Sequence, residues 1–242
     1  MMPPLAVAEL GRVPYHEAHA LQRALADRRI SGALDRDVLL LLEHEPTITL
    51  GRGTRATSLP LSPEALAAQG LTVAEVERGG DVTWHGPGQL VGYPILDLQG
   101  HRPDLHWYLR QVEEALIVAL ERLGIAAERN PGFTGVWSRG RKIASIGIHV
   151  RHWVTSHGFA LNVTNDLREF ELIVPCGISG VEMTSVSRER GASAVESDAG
   201  ELWRETVAAV TFGMATVFGR TPVPATLSEL LPEGTARPAP AY

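Results

Sequence analysis

Apolar and polar positions along the chain follow two rhythms, one with the period of a helix and one with the period of a strand. Between Tyr15 and Ile30, the residues Ala18, Leu21 and Leu25 recur on one helical face, and Ser31-Gly32 stops the pattern. Leu105, Tyr108, Leu109, Val112, Leu116, Leu120 and Leu123 mark one side of a longer helix that Gly124 ends. Gly200 to Phe218 reads as a terminal helix. Ser62-Pro63-Glu64 reads as the capped start of a short helix closed by Gly70. Val38 to Leu42 is continuously apolar, the pattern of a strand buried on both faces. Thr47 to Leu50 and Thr72 to Glu77 predict further strands, and so does Leu90 to Leu98, where Pro94 points to an edge or a bulge. Thr134 to Ser138 and Ile143 to Val150 predict a hairpin about Arg139-Gly140-Arg141, with Val154 to Val163 returning beside it. Leu167 to Phe170 fits one helical turn and Glu182 to Val186 a short strand.

The order is helix, several strands, helix, hairpin strands, helix, with no repeats and no long linker. It predicts an α/β fold of the α+β kind, a single mixed sheet with flanking helices, and not a regular βαβ repeat. The 242 residues, 44% of them hydrophobic, suit one domain over 1–242 with a loose Pro/Ala-rich tail from about 232.

Composition narrows the function. A net charge of −6 argues against general nucleic-acid binding. The N-terminal stretch lacks the basic start and apolar run of a secretory signal. The Val38–Leu42 run is far short of the roughly 20 residues a bilayer requires, so no membrane association is expected. One cysteine excludes an internal disulfide. Neither it nor the nine histidines show zinc-site spacing, so no metal is expected and a reducing, cytoplasmic setting fits.

Three stretches could carry chemistry. The first, Arg78 to Tyr93, packs glycines with Thr83, Trp84, His85, Gln89 and Tyr93 between two strands, which suits a binding loop better than a plain turn. The second, Gly140 to Val163, sets Gly147 and Gly158 inside strands, where a glycine signals either a bulge or the close approach of a ligand or main chain. Its His149 and His157 are more ordinary as hydrogen-bonded structural residues. Strict alternation would put Ile143, Ser145, Gly147 and His149 on one face and Lys142 on the other. Lys142 therefore reaches a common site only from the turn or through a bulge. The third stretch is Pro175-Cys176-Gly177. A lone cysteine is by default a small buried hydrophobe, but this one sits between proline and glycine in an irregular segment. A reactive thiolate needs a neighbouring cation or base, and Lys142 could be either. Lys142 is the only lysine among 22 basic residues. Arginine does not deprotonate in proteins whereas lysine can, so a single retained lysine suits proton transfer.

These motifs together resemble the lipoyl(octanoyl) transferases of the biotin/lipoate protein ligase superfamily. The resemblance rests on Arg78-Gly79-Gly80 with Thr83, His85, Gln89 and Tyr93, on Gly140 to Gly147, on His157-Gly158-Phe159-Ala160 with Asn162, and on Pro175-Cys176-Gly177. It implies a ligase-like catalytic domain in which Cys176 is the acylated nucleophile and Lys142 activates it. By the same resemblance the acyl site is Arg78, Gly79, Gly80, Asp81, Val82, Thr83, Trp84 and His85, Ser145, Ile146 and Gly147, and Gly158, Phe159 and Ala160, with Gln89 and His149 as supporting residues. The implied donor is octanoyl-acyl carrier protein, and the implied acceptors are lipoyl domains of 2-oxoacid dehydrogenases and the glycine cleavage H protein, with no cofactor. An ATP-using lipoate or biotin ligase of the same fold would not need Cys176. A cysteine hydrolase would want a histidine base, for which His85 or His149 could serve. A non-catalytic acyl or lipoyl-domain binding module would need neither Cys176 nor Lys142.

Overall fold

The computed structural model describes residues 2–174, 181–191 and 198–232. Its larger sheet has seven strands: β1 (Pro4–Arg12), β2 (Asp37–Glu43), β6 (Gln89–Ile95), β7 (Val136–Ser138), β8 (Arg141–Arg151), β9 (Val154–Asn162) and β10 (Thr221–Pro224), in the order β10-β1-β2-β6-β9-β8-β7. β1 runs parallel to both of its neighbours, while the ladders from β2 to β7 are antiparallel, so the sheet is mixed. A second sheet of three strands, β4-β3-β5, joins β3 (Thr47–Leu50), β4 (Thr72–Glu75) and β5 (Val82–His85).

Helix α1 (Tyr15–Ile30) packs on one face of the large sheet. Helices α3 (Leu105–Arg122) and α5 (Ala199–Val217) pack together on the other. The short helices are α2 (Pro63–Ala67), α4 (Val186–Arg190) and α6 (Leu227–Leu230). β2 shows why its sequence is continuously apolar. Leu39 and Leu41 join the α3/α5 core, and Val38, Leu40 and Leu42 join the α1 core, none more than 2% exposed. Each such leucine contributes about 1.5–3 kcal/mol by leaving water. The short helix α2 starts as predicted: Ser62 Oγ accepts from the Ala65 N–H and Pro63 takes the first turn.

Several expectations need correction. The fold has two sheets where one was expected, because Val82 and Trp84 alternate with Thr83 and His85 to make β5 inside the presumed loop. The predicted Thr72–Glu77 strand ends at Glu75. Met183 makes only a bridge to Lys142, and Val186 opens α4, capped by Ser185 Oγ accepting from Arg188 N–H, so Glu182–Val186 is not a strand. β1 and β10 escaped the pattern because the buried run of β1 is only Leu5 to Ala8, half of it alanine and without alternation, and β10 is fully exposed with two prolines. Pro94 lies in the centre of the sheet, not at its edge. β9 parts from β6 between the pairs Gly92↔Phe159 and Asp97↔Val154, and the register is the same on both sides of the gap. Pro94 has no N–H to offer at that point. The gap frees the His157 N–H, which donates instead to Gln22 Oε1 of α1 at 2.7 Å. Of the predicted loose tail, residues 233–242 lie outside the described part, while Leu230 and Leu231 are buried in the α1 core.

Candidate active site

A cavity of about 410 Å³ lies between the two sheets, within the roughly 300–1,000 Å³ usual for small-ligand pockets. Its floor is the large sheet: Val91 and Tyr93 of β6, Gly158–Ala160 of β9, and Lys142 with Ser145–Gly147 of β8. Its roof is the segment Arg78 to Thr83 with Gly53 and Arg55. Tyr15, His85 and His157 line one part of the wall, and Gly132, Phe133 and Thr134 another.

Lys142 reaches this floor through a β-bulge. Trp137 pairs with Lys142 but Val136 pairs with Ala144, so Ile143 is an extra residue on β8. Ile143 and Ala144 both turn into the α3/α5 core, and the alternation resets so that Lys142, Ser145 and Gly147 share the cavity face. Lys142 is 4% exposed, and its ammonium sits 5.2 Å from the centroid of the Trp137 ring. Its main chain forms a latch: the Lys142 N–H donates to Glu182 O at 2.8 Å, and Lys142 O accepts from Thr184 N–H at 2.9 Å. On the other side of the cysteine segment, Val174 N–H donates to Ser58 O at 2.9 Å. Pro175, Cys176 and Gly177, with any oxyanion donors near Gly177, lie outside the described residues.

The roof is built by Arg78. Its guanidinium donates to Thr49 O and Thr49 Oγ1, both at 2.8 Å, to Asp81 O at 2.7 Å and to Gly79 O at 3.1 Å. It is 7% exposed, so the charge is met by fixed oxygens of β3 and its own loop. The loop docks on β8 by a 2.9 Å bond from Gly79 N–H to Ile148 O. Gly147 permits that approach: a Cβ there would lie 2.8 Å from Arg78 Cδ and 3.1 Å from Gly79 O.

A chain of rings closes the wall. His44 Nδ1 lies 2.8 Å from Val13 O, which can only accept, so Nδ1 carries the proton and Nε2 accepts from the Tyr93 hydroxyl at 2.7 Å. Burial lowers the His44 pKa to about 4, in keeping with that neutral tautomer. Burial and the neighbouring His44 hold His85 well below the ordinary histidine range, and its Nδ1 bonds Gln89 Oε1 at 2.9 Å. Gln89 in turn donates to Asn162 Oδ1 and to Trp84 O. Burial likewise raises the Tyr15 and Tyr93 phenols, Tyr15 stacking on His85 at 6.0 Å.

Of the residues singled out in the sequence, Arg78, Gly80, Asp81, Val82, Thr83, His85, Lys142, Ser145, Ile146, Gly147, Gly158, Phe159 and Ala160 come together on this cavity. Gly79 supports it from behind through Ile148. Trp84 does not line it: the ring is 2% exposed and packs at 5.6 Å, edge to face, on Phe170 in the core of the small sheet. Gln89 orients His85 from a buried position, and His149 of β8 pairs with Ser156 of β9 and is not among the lining residues. Sequence reasoning did not place Tyr15, Gly53, Arg55 and Gly132–Thr134 on the cavity; they come from two separate loops and a helix start. Only the aromatic Tyr15 at the head of α1 offered a signal.

The model of the lipoyl protein ligase A/B catalytic domain matches residues 14–205. The chain belongs to this family. An octanoyltransferase of Nostoc punctiforme is 53% identical over 178 residues, covering 73% of this chain and 76% of the relative. One of Geobacter sulfurreducens is 50% identical over 193 residues, covering 80% and 79%. Family membership and the octanoyl-transfer reading of the motifs agree with these relatives. Among solved structures, a lipoate-protein ligase A bound with ATP superposes with a TM-score of 0.70, over 95% of this chain and 91% of that one. The lipoate protein ligase-like protein Ta0514 of T. acidophilum gives 0.69 over 95% and 90%. At 16% and 17% identity these two bear out the expected fold.

Proposed function

We propose that this family member moves an octanoyl group from octanoyl-acyl carrier protein to a lysine of a lipoyl domain, through a thioester on Cys176. The Cys176 thiolate attacks the donor thioester carbonyl, and the carrier's thiolate leaves. The acceptor lysine amine then attacks the enzyme thioester, an amide forms, and the Cys176 thiol is regenerated with the amine's proton. Thioester exchange is nearly balanced and amide formation draws the sequence forward, so no ATP is required. Lys142 takes the Cys176 thiol proton and returns it to the departing carrier thiolate; in the second step it takes the amine proton and passes it to the departing Cys176 thiolate. The cavity holds the acyl chain against the glycine-lined floor of β8 and β9. Acceptors of this chemistry are lipoyl domains of 2-oxoacid dehydrogenases and the glycine cleavage H protein, and the reaction belongs in the cytoplasm.

One observation carries the reading. The single lysine of the chain lies on the cavity floor, and its main chain bonds Glu182 and Thr184, just beyond the segment that contains the single cysteine. The test is intact mass after incubation with octanoyl-acyl carrier protein. The wild type is expected to gain one octanoyl mass that hydroxylamine removes, and Cys176→Ala to gain none. Transfer by Cys176→Ala, or a requirement for ATP, would overturn the proposal.

A further inference from the structure

Next to the cavity, three elements far apart in sequence bring His19 of α1, Glu77 and His157 of β9 together. Among the described residues, this is the one group whose His, Cys, Asp or Glu ligand atoms could jointly hold a metal ion, each within 4.8 Å of the others. Glu77 Oε2 lies 3.1 Å from His19 Nε2 and 3.8 Å from His157 Nε2. Zinc bonds these atom types at about 2.0–2.2 Å, which in a tetrahedron separates neighbouring ligand atoms by about 3.3–3.4 Å. The two measured separations bracket that value.

The second observation concerns the imidazoles. The His157 side chain is 3% exposed and the His19 side chain 13%. Both Nε2 atoms are buried, yet neither meets hydrogen-bond geometry with any described group, although a carboxylate is close to both. A buried polar atom left in this way costs stability unless something fills the point where the atoms converge. His157 is also held in a conformation rare for a residue with a side chain, φ +55°, with its N–H fixed by Gln22 Oε1. A strained backbone kept at such a point is expected where the side chain has a task. Glu77 is 31% exposed, which leaves room for water as a fourth ligand.

We propose that His19, Glu77 and His157 form a binding site for one divalent transition-metal ion of the zinc class. Two imidazoles and one carboxylate suit Zn²⁺ or Co²⁺ and disfavour Mg²⁺, which takes oxygen ligands in an octahedron. Glu77 directly precedes Arg78, so the ion ties α1 and β9 to the roof of the cavity. The site is structural and takes no part in acyl transfer, and it stands whether or not the thioester mechanism does. Sequence spacing could not reveal it, because the ligands lie on a helix, a loop and a strand.

The test uses the full-length protein stripped with chelator and titrated with ZnCl2 or CoCl2. One equivalent of Co²⁺ is expected to give the visible absorption of a four-coordinate ion, and Zn²⁺ to compete for the same site and raise Tm. His19→Ala, on the partly exposed face of α1, is expected to weaken binding more than ~100-fold, beyond the 10–100-fold typical of losing an outer-shell partner. His157→Asn keeps a side chain that tolerates positive φ and is expected to do the same. Cys176→Ala is expected to keep the Co²⁺ spectrum, since the thiol is not a ligand. An equal Tm rise with Mg²⁺, an unchanged spectrum in His19→Ala, or its loss in Cys176→Ala would overturn the assignment.

Discussion

Gly135 gives Lys142 its space: a Cβ at Gly135 would stand 2.9 Å from Lys142 Cε and 2.5 Å from the Ala144 carbonyl. Gly135 also has φ +128°, and its N–H donates to the buried carboxylate of Glu113 at 3.2 Å. Gly135→Ala is therefore expected to cost about 1–3 kcal/mol in urea unfolding, through backbone strain alone. Transfer by the folded fraction should fall as well, because the lysine stem must move. Wild-type stability together with wild-type activity would refute this account.

Lys142 separates charge from proton transfer. Lys142→Arg keeps a cation but cannot give up its proton, so it is expected to lose activity nearly as far as Lys142→Ala. The loss expected for an acid–base group is about 10²–10⁴ in kcat. Near-normal turnover by Lys142→Arg would leave only an electrostatic role.

Arg78 holds the roof with several bonds that diverge from one planar group. Lys142 aside, arginine is the basic residue everywhere in this chain, but here the fork itself matters. Arg78→Lys keeps the charge yet cannot reach Thr49 and Asp81 at once. Steady-state kinetics should show KM for the acyl donor rising at least tenfold, with Tm lowered. An unchanged KM would mean that the roof does not contact substrate.

Stability should fall in acid through His44. Its folded-state pKa, about 4, lies below the ordinary value of 6.5, so the unfolded chain binds the proton first. Its contribution is complete above about pH 6.5 and is lost progressively as pH falls toward 4, on the order of 3 kcal/mol in all. Urea melts across this range should show a shallower pH slope for His44→Gln than for the wild type. Parallel slopes would contradict the neutral tautomer that bonds Tyr93.

Carrier docking should depend on Arg52 and Arg55. Both are exposed at or near the cavity mouth, and among the described residues neither has an ion-pair partner. Arg141 and Arg151, by contrast, are taken up by Glu189 and Asp27. Exposed attraction is screened over about 8 Å at physiological salt. The apparent KM for the acyl carrier protein should therefore rise with salt, and Arg52→Ala/Arg55→Ala should flatten that dependence. A salt effect untouched by the double variant would place docking elsewhere.

The helices and the buried strand were legible because their sequences are periodic over long stretches, as in Leu105–Leu123 and Val38–Leu42. The second sheet was not, since β5 is four residues long and its strand pattern is masked by the glycines around it. The glycine motifs and the single lysine pointed to the floor and roof of the cavity, while the single cysteine lies outside the described residues. Trp84 misled because an aromatic in a binding motif reads the same whether it faces ligand or core, and only alternation along β5 decides between them. Tyr15 and Phe133 reach the cavity by tertiary packing, which leaves no periodic trace.

The latch between Lys142 and the segment Glu182–Thr184 is made by peptide groups alone. Every amino acid except proline supplies the same two groups, so the tether is indifferent to what side chain position 142 carries. Mooring and chemistry are therefore separable at this residue, and the position is a natural host for an unnatural amine of chosen basicity. A series of such amines would trace how rate follows proton affinity without disturbing the strand that holds them.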